Sequence, residues 1–129
     1  MKASELRIGN LIDIYLISSP SLSNIHVVEP TTLMMIMGLV ESKGTAFRPI
    51  PLTEEWVLNF GFEKHHTLKN EWLTMYISEE DGIGVFLNIQ DMIIYYCNDP
   101  IFRIKHVHDL QNFMFALTGE ELVLKKQLK

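Results

Sequence analysis

Residues 62–105 have the pattern of an antiparallel β-meander, in which short apolar stretches alternate with turn residues. We predict strands over residues 72–78, 84–89, 92–97 and 101–105. Each of these stretches is rich in β-branched or aromatic side chains. The stretch 92–97 is apolar at every position, which is typical of a central strand covered on both faces.

A short helix is predicted on either side of this meander. The first covers residues 53–60, where Thr53 is a good N-cap and Gly61 fits the left-handed position that ends a helix. The second covers residues 107–117, where apolar side chains recur at helical spacing and Gly119 follows the last turn.

The N-terminal part is expected to form a β-rich unit, for which a small SH3-like barrel is one candidate. Residues 6–17 predict a strand or a strand pair, and residues 25–29 predict a second strand. The serine-rich stretch 18–24 between them has the composition of a polar loop. Residues 31–40 contain an apolar run that is too short for its periodicity to distinguish a helix from a strand, so both structures are considered for this segment.

The chain of 129 residues has the size of one domain and can bury a core without disulfide or metal support. Its 47% hydrophobic and 21% charged residues are ordinary for a globular protein and argue against disorder. We therefore predict a single α+β domain over residues 1–129. A β-rich unit would cover about residues 1–50, and a helix–meander–helix unit about residues 51–124.

The sequence has no feature of a secreted or membrane protein. No apolar stretch of the signal-peptide kind follows the first residues, and the longest apolar runs, at 33–37 and 92–97, are far short of the roughly 20 residues that span a bilayer. The single cysteine, Cys97, fits a reducing compartment. We expect a soluble cytoplasmic protein with no membrane partner.

Three groups of residues together resemble a known family. They are residues 6–10 (LRIGN), residues 49–56 with 60–62 (PIPLTEEW and FGF), and residues 107–112 with 116–122 (VHDLQN and ALTGEEL). This combination resembles a family of small uncharacterised proteins encoded by phages, prophages and mobile elements of Bacteroides-type gut bacteria. The family more often has glutamine at the position of Asp109. The resemblance implies a genetic context and carries over no catalytic or binding residue.

The histidines and the carboxylate near residue 106 are the strongest candidates for metal binding or acid–base chemistry. Zinc requires three or four nitrogen, sulfur or oxygen ligands that converge. Because His106 and His108 are two residues apart at the start of a helix, we expect their side chains to diverge. An enzyme that uses His65, His106 and Asp109 is therefore the least favoured of three functional hypotheses.

The other reactive or acidic side chains have structural explanations. Cys97 ends an apolar stretch, so we expect a small buried side chain and not a reactive thiol. The acidic residues 79–81 and the following Gly82 are expected to form a hairpin turn. We therefore assign no catalytic, cofactor-binding or metal-binding residue, and we expect no cofactor.

The net charge of −5 is spread along the chain without a basic stripe, so nucleic-acid binding is not favoured. It stays the alternative hypothesis, in the form of a small nucleic-acid-binding accessory protein. That function would require one folded surface to gather the scattered basic residues Arg7, Lys43, Arg48, Arg103 and Lys105.

Apolar side chains outside the predicted core favour a non-enzymatic protein-interaction protein as the first hypothesis. Phe115 points away from the apolar stripe of its predicted helix, so it would contact either the N-terminal unit or another subunit. Met34, Met35 and Met37 would form a surface suited to adaptable contacts. We accordingly expect a protein partner or self-association.

Overall fold

A computed structural model describes residues 2–41, 43–64, 72–78, 83–97 and 99–125 of the chain. These residues form an α+β fold with two antiparallel sheets and three α-helices, which confirms the predicted fold class. None of the described helices combines the length and the apolar character that crossing a membrane requires.

The N-terminal unit is an open three-stranded sheet joined to one α-helix. After a 3-10 helix at Ala3–Glu5, its elements are β1 (Leu11–Leu16), β2 (Ser19–Val27), α1 (Pro30–Ile36) and β3 (Thr45–Arg48). The strand order is β2-β1-β3, so both β2 and β3 are edge strands. Because these edges do not pair with each other, the described residues do not form the closed SH3-like barrel that we considered.

The segment 31–40, for which helix and strand were both open, is helical over most of its apolar run. Pro30 occupies the first helical position, where its missing N–H is not needed. The Thr32 hydroxyl accepts a hydrogen bond from the backbone N–H of Glu29 at 3.1 Å and lies 2.8 Å from Nε2 of His26. This contact attaches the start of α1 to β2.

The predicted loop over residues 18–24 was wrong, because most of it belongs to β2. Ser21, Ser23 and Asn24 are exposed, and an edge strand tolerates polar side chains on exposed positions. Pro20 also fits an edge, where a missing N–H breaks no ladder. Tyr15 pairs with Ser23 but Leu16 pairs with Ser19, so the residues between these two serines form a wide bulge.

The C-terminal unit contains the predicted meander between the two predicted helices. Its elements are α2 (Glu54–Asn59), β4 (Glu63–Lys64), β5 (Trp72–Ser78), β6 (Ile83–Asn88), β7 (Ile93–Tyr96), β8 (Asp99–Arg103) and α3 (Val107–Thr118). The five strands pair in chain order, and every pairing is antiparallel. The helix and meander predictions are therefore confirmed, with boundary shifts of one or two residues.

The prediction that residues 92–97 form a central strand covered on both faces was correct in position and wrong about the burial. β7 lies between β6 and β8, but it covers only Ile93–Tyr96, of which Ile94 alone is fully buried. Met92 and Cys97 lie outside the strand with φ values of 56° and 52°. These left-handed conformations belong to turns, so the apolar run is cut at both ends.

The ends of α2 and α3 lie at the capping residues that the sequence predicts. The Thr53 hydroxyl accepts a hydrogen bond from the N–H of Trp56 at 3.4 Å, and Gly61 and Gly119 follow α2 and α3 with φ values of 105° and 75°. The core lies between these helices and one face of the five-stranded sheet. Its buried side chains include Trp56, Val57, Phe60, Phe62, Leu73, Val85, Leu87, Ile94, Ile104, Val107, Leu110 and Met114.

α3 has a second packed face, which is polar and contacts the N-terminal segment. Gln111 is 1% exposed; its Oε1 accepts a hydrogen bond from the N–H of Leu11 at 2.7 Å, and its Nε2 donates to the carbonyl oxygen of Gly9 at 3.4 Å. Asn112 donates to the carbonyl oxygen of Glu5 and accepts from the side chain of Asn10. These bonds hold the N-terminal unit against the C-terminal unit.

Arg7 also joins the N-terminal unit to the C-terminal unit. Its guanidinium group binds both carboxylate oxygens of Glu121, at 2.6 and 3.0 Å, and this bidentate geometry is the strongest form of the Arg–Glu pair. It also lies over the ring of Phe115, with 4.0 Å between Cζ and the ring centroid. The first residues of the chain are thus joined to the end of α3 by charge, by hydrogen bonds and by an aromatic contact.

Replacing Gln111 by methionine is expected to lower the free energy of unfolding by about 1–3 kcal/mol, because partly buried backbone groups of Leu11 and Gly9 lose their partners. Urea unfolding measures the change. Gln90→Met is the matched control, since Gln90 is exposed in a turn and its replacement should change stability by less than about 0.5 kcal/mol. Equal effects of the two substitutions would contradict the role assigned to Gln111.

Candidate functional site

The surface of the N-terminal unit is poor in charge. Residues 14–40 contain a single Asp, Glu, Lys or Arg residue, which is Glu29. Half of the large hydrophobic side chains that are exposed in the described chain lie in this span: Leu16, Ile17, Leu22, Val27, Met34, Met37 and Leu39. An exposed surface of this kind is typical of a region that contacts another protein.

Within this surface, β2 has an unpaired edge. It is the longest strand in the described chain, and its only neighbour in the sheet is β1. Pro20 and the bulge after it interrupt the first half of the edge, and both features limit pairing with other chains. The second half, residues 23–27, has neither a proline nor a charged side chain.

A groove of 420 Å³ lies beside this edge strand. Its apolar lining residues include Ile14, Leu16 and Leu22. Leu22 is 61% exposed, so it leaves most of its side chain available to another molecule. The edge strand and the groove together form a surface, here called the β2 surface, that is defined by residues 23–27, Leu16 and Leu22.

The residues predicted for interaction lie in two different environments. Met34 and Met37 are exposed and Met35 is half-buried, so α1 does present methionine side chains at the surface. Phe115 is 37% exposed and packs under Arg7, which means that it contacts the N-terminal segment of its own chain. This is one of the two environments that we expected for Phe115.

Leu16 and Leu22 were not found by sequence analysis, because residues 18–24 were predicted to form a loop and Leu16 was placed in the strand or strand pair predicted over residues 6–17. The signal that identifies them is the scarcity of charge over residues 14–40. Charged side chains normally cover exposed strands and helices, so a span without them points to a surface that is covered in another way.

The basic residues of the nucleic-acid hypothesis are divided among different contacts. Arg7 binds Glu121, and Arg48 binds Asp13 through its Nε. The guanidinium group of Arg48 also lies over the ring of Tyr15, with 4.4 Å between Cζ and the ring centroid. Both arginines therefore have a carboxylate partner within the chain. The remaining basic residues of that hypothesis, Lys43, Arg103 and Lys105, are exposed.

Cys97 was expected to be buried, and this prediction was wrong. It is exposed in a turn after β7, with a left-handed backbone conformation. The apolar run that precedes it suggested a longer strand, whereas the chain turns one residue earlier. A small side chain in a solvent-exposed turn contributes little to the core.

A cleft of 630 Å³ lies between the N-terminal sheet and α2. Its lining includes the paired Asp13 and Arg48, together with Ile25, Glu55 and Trp56. Among the described residues that line it there is no histidine and no cysteine. The cleft and the histidine cluster of α3 are therefore separate features.

The structure brings His106, His108 and Asp109 together, so the expectation that the two histidines diverge was wrong. Their rings are stacked, with centroids 5.4 Å apart and an interplanar angle of 8°. The reason is that His106 is the N-cap residue and has an extended backbone, with φ −129°. The rule that side chains at positions i and i+2 of a helix point apart therefore does not apply to it. Asp109 reaches back, and its Oδ2 accepts hydrogen bonds from the N–H groups of Lys105 and His106.

His108 is buried without a hydrogen-bond partner. Its side chain is 1% exposed, and neither ring nitrogen has a partner among the described residues. Oδ1 of Asp109 lies 3.6 Å from Nε2, which is too long for a hydrogen bond. Burial lowers the pKa of His108; the charge of Asp109 opposes this shift, and the neighbouring His106 adds to it.

Two parts of the predicted sites lie outside the described residues. They are His65, which the enzyme hypothesis requires, and the acidic turn at residues 79–82. Comparisons of the whole chain with protein-family models, with curated proteins and with solved structures found no match. The function therefore has to be inferred from the geometry of this chain.

The stability of the protein is expected to fall as the pH is lowered from about 8 to about 5, in part because of His108. An unfolded histidine binds a proton near pH 6.5, whereas His108 in the folded state binds it only at lower pH. The stability that the neutral His108 contributes is complete above the pKa of a histidine in the unfolded chain. It is lost as the pH falls from that value through the pKa of His108 in the folded chain. Urea unfolding at several pH values, with a metal chelator present, measures the loss.

His108→Gln is the comparison variant, because glutamine keeps a polar side chain of similar length and does not titrate. Its stability should depend less on pH over this range than that of the original chain. The same pH dependence in both proteins would show that His108 does not contribute.

Proposed function

We propose that this chain is a non-enzymatic protein-interaction protein of phage or mobile-element origin, and that it self-associates through the β2 surface. The resemblance of residues 6–10, 49–62 and 107–122 to the phage and prophage family supports the origin. The β2 surface supports the interaction function. The cleft beside α2, whose described lining contains no histidine or cysteine, gives no support to an enzyme.

The observation that carries the proposal is the position of β2, a nine-residue uncharged strand, at the edge of its sheet. The unpaired backbone N–H and C=O groups of such an edge can bind a further strand. The other edge strand of this sheet, β3, has four residues and carries the charged Arg48. β2 is therefore the better edge for pairing.

A second copy of the chain fits this edge by symmetry. An antiparallel strand pair has a two-fold axis, so β2 of one protomer can pair with β2 of its partner through the same residues on both sides. The product would be one continuous sheet with the strand order β3-β1-β2-β2-β1-β3. Homodimers with closed two-fold symmetry are the commonest soluble oligomers.

The distribution of charge permits this pairing despite the net charge of −5. Two copies of an acidic protein repel each other, but residues 14–40 contribute only Glu29 to the charge at this surface. In addition, the exposed Leu22 lines the groove beside the edge. When residues 23–27 of the two copies pair, Leu22 of each protomer would lie at the end of the paired segment, in contact with its partner.

Leu22→Lys is expected to raise the dimer dissociation constant about tenfold or more, because the substitution places an unpaired charge in an apolar contact. Sedimentation velocity over a series of protein concentrations measures the constant. Ile101→Lys is the matched control, because Ile101 is 47% exposed on the edge strand β8 of the other sheet. The control variant should associate as the original chain does.

A second measurement locates the contact. Single cysteines introduced at Ser23, Asn24 or Val27, in a Cys97→Ser background, should form an intermolecular disulfide where the residue lies near the two-fold axis. A chain that stays monomeric at all concentrations would overturn the self-association. A dimer that forms equally well with Leu22→Lys, and without cross-links at these positions, would overturn the role of the β2 surface.

A further inference from the structure

The start of α3 brings three side chains with metal-binding atoms together. One ligand atom from each of His106, His108 and Asp109 lies within 4.8 Å of the other two. The arrangement follows from the local fold, because His106 ends the extended segment after β8 and Asp109 caps the helix that begins at Val107. Two imidazoles and a carboxylate are the ligand types found at many zinc sites.

The burial of His108 is a second and independent observation at the same place. A buried imidazole normally donates or accepts at least one hydrogen bond, since an unpaired polar group away from water is unfavourable. His108 is 1% exposed, and neither of its ring nitrogens has a partner among the described residues. Nε2 faces Oδ1 of Asp109 across 3.6 Å, a separation too long for a hydrogen bond.

We propose that His106, His108 and Asp109 bind one divalent transition-metal ion of the zinc type. The metal would accept the lone pair of a His108 ring nitrogen and so provide the partner that the buried side chain lacks. Oδ1 of Asp109 would be the carboxylate ligand, while Oδ2 continues to accept the N–H groups of Lys105 and His106. This hydrogen-bonding would orient the carboxylate toward the metal.

The distances agree with this assignment for the ligand pair that includes His108. In a tetrahedron of ligands about 2.0–2.1 Å from zinc, the ligand atoms are about 3.4 Å apart. Nε2 of His108 is 3.6 Å from Oδ1 of Asp109, which matches two ligands of one ion. Nδ1 of His106 is 3.4 Å from Oδ2, the oxygen that caps the helix, so His106 has to move toward Oδ1 when the ion binds.

Binding would require a rotation of His106. The lone pair of an imidazole nitrogen lies in the plane of its ring, so two stacked parallel rings cannot both point at one ion. The His106 side chain is 33% exposed, whereas His108 is held in the interior, so the rotation is assigned to His106. The buried histidine and the capping carboxylate thus form the fixed part of the site, and His106 closes on the ion. The fourth position is left to solvent.

The choice of metal follows from the ligands. Imidazole nitrogen favours zinc, cobalt, nickel and copper, whereas magnesium and calcium prefer sites built from oxygen alone. We therefore expect Zn²⁺ and Co²⁺ to bind and Mg²⁺ and Ca²⁺ not to compete. Because only the folded chain assembles the three ligands, Zn²⁺ should also raise the temperature of unfolding.

The test is calorimetric titration of the untagged, chelator-treated full chain with Zn²⁺, since a histidine tag would bind the ion itself. We expect one ion per chain, and a loss of affinity of about tenfold or more in His106→Gln and in Asp109→Asn. Both variants should fold, because His106 is partly exposed and asparagine can still accept the capping hydrogen bonds. Titration with Co²⁺ gives a second readout, the absorption spectrum of the bound ion, which reports nitrogen ligation and coordination number.

Glu41→Gln is the matched control, because Glu41 is an exposed carboxylate that belongs neither to the proposed metal site nor to the β2 surface. It should bind Zn²⁺ as the original chain does. No heat of binding, or binding that survives both His106→Gln and Asp109→Asn, would overturn the site. Binding lost only in Glu41→Gln would assign the ion to another place on the chain and would equally overturn the proposal.

Discussion

The side-chain amide of Gln111 takes the place of a peptide group where β1 begins. One of its atoms accepts the N–H of Leu11, and another donates to the carbonyl oxygen of Gly9, as a neighbouring strand would. Buried backbone groups need such partners, and in this segment α3 supplies them from its side chain. The two sheets of the protein are connected through this helix, which packs apolar side chains on the five-stranded sheet and polar ones on the N-terminal segment.

Because α3 packs on both sides, most residues of its first turn are buried. Val107 and Leu110 are directed to the core, and Gln111 and Asn112 to the N-terminal segment, so the turn between them is enclosed on both sides. His108 lies in that turn, and its burial is a consequence of the surrounding contacts. A side chain that could have been a solvated histidine on a free helix is thereby placed in the interior beside a carboxylate.

The elements that could be predicted from the sequence are those whose signals are local. The cap at Thr53, the glycine after each helix and the apolar stripe of α3 all lie within a few residues of the structure that they specify. The first part of β2 could not be predicted in the same way, because its serines and Asn24 form a strand only through pairing with β1. Local composition therefore indicated a loop at a place where pairing with a neighbouring strand of the same chain produces a strand.

The misjudged site residues have the same origin. Spacing rules for helices made His106 and His108 diverge, whereas the extended backbone of the N-cap residue lies outside those rules. The exposure of Cys97 depends on a left-handed turn residue, which an apolar run does not reveal. The α1 methionines and the location of Phe115 beside the N-terminal segment were within reach, because amphipathic patterns show which side chains leave the core.

The bonds from Gln111 to the start of β1 also have a consequence for the order of folding. Leu11 and Gln111 are 100 residues apart along the chain, and Arg7 and Glu121 are 114 apart. The β1–β2 hairpin can form early, on a scale of about 1–10 μs, because its strands are adjacent. Its anchorage must wait until α3 has been synthesised and folded. During that interval the N-terminal hairpin and its open edge lack the contacts that later hold them, and this is the stage at which the chain is most exposed to mispairing.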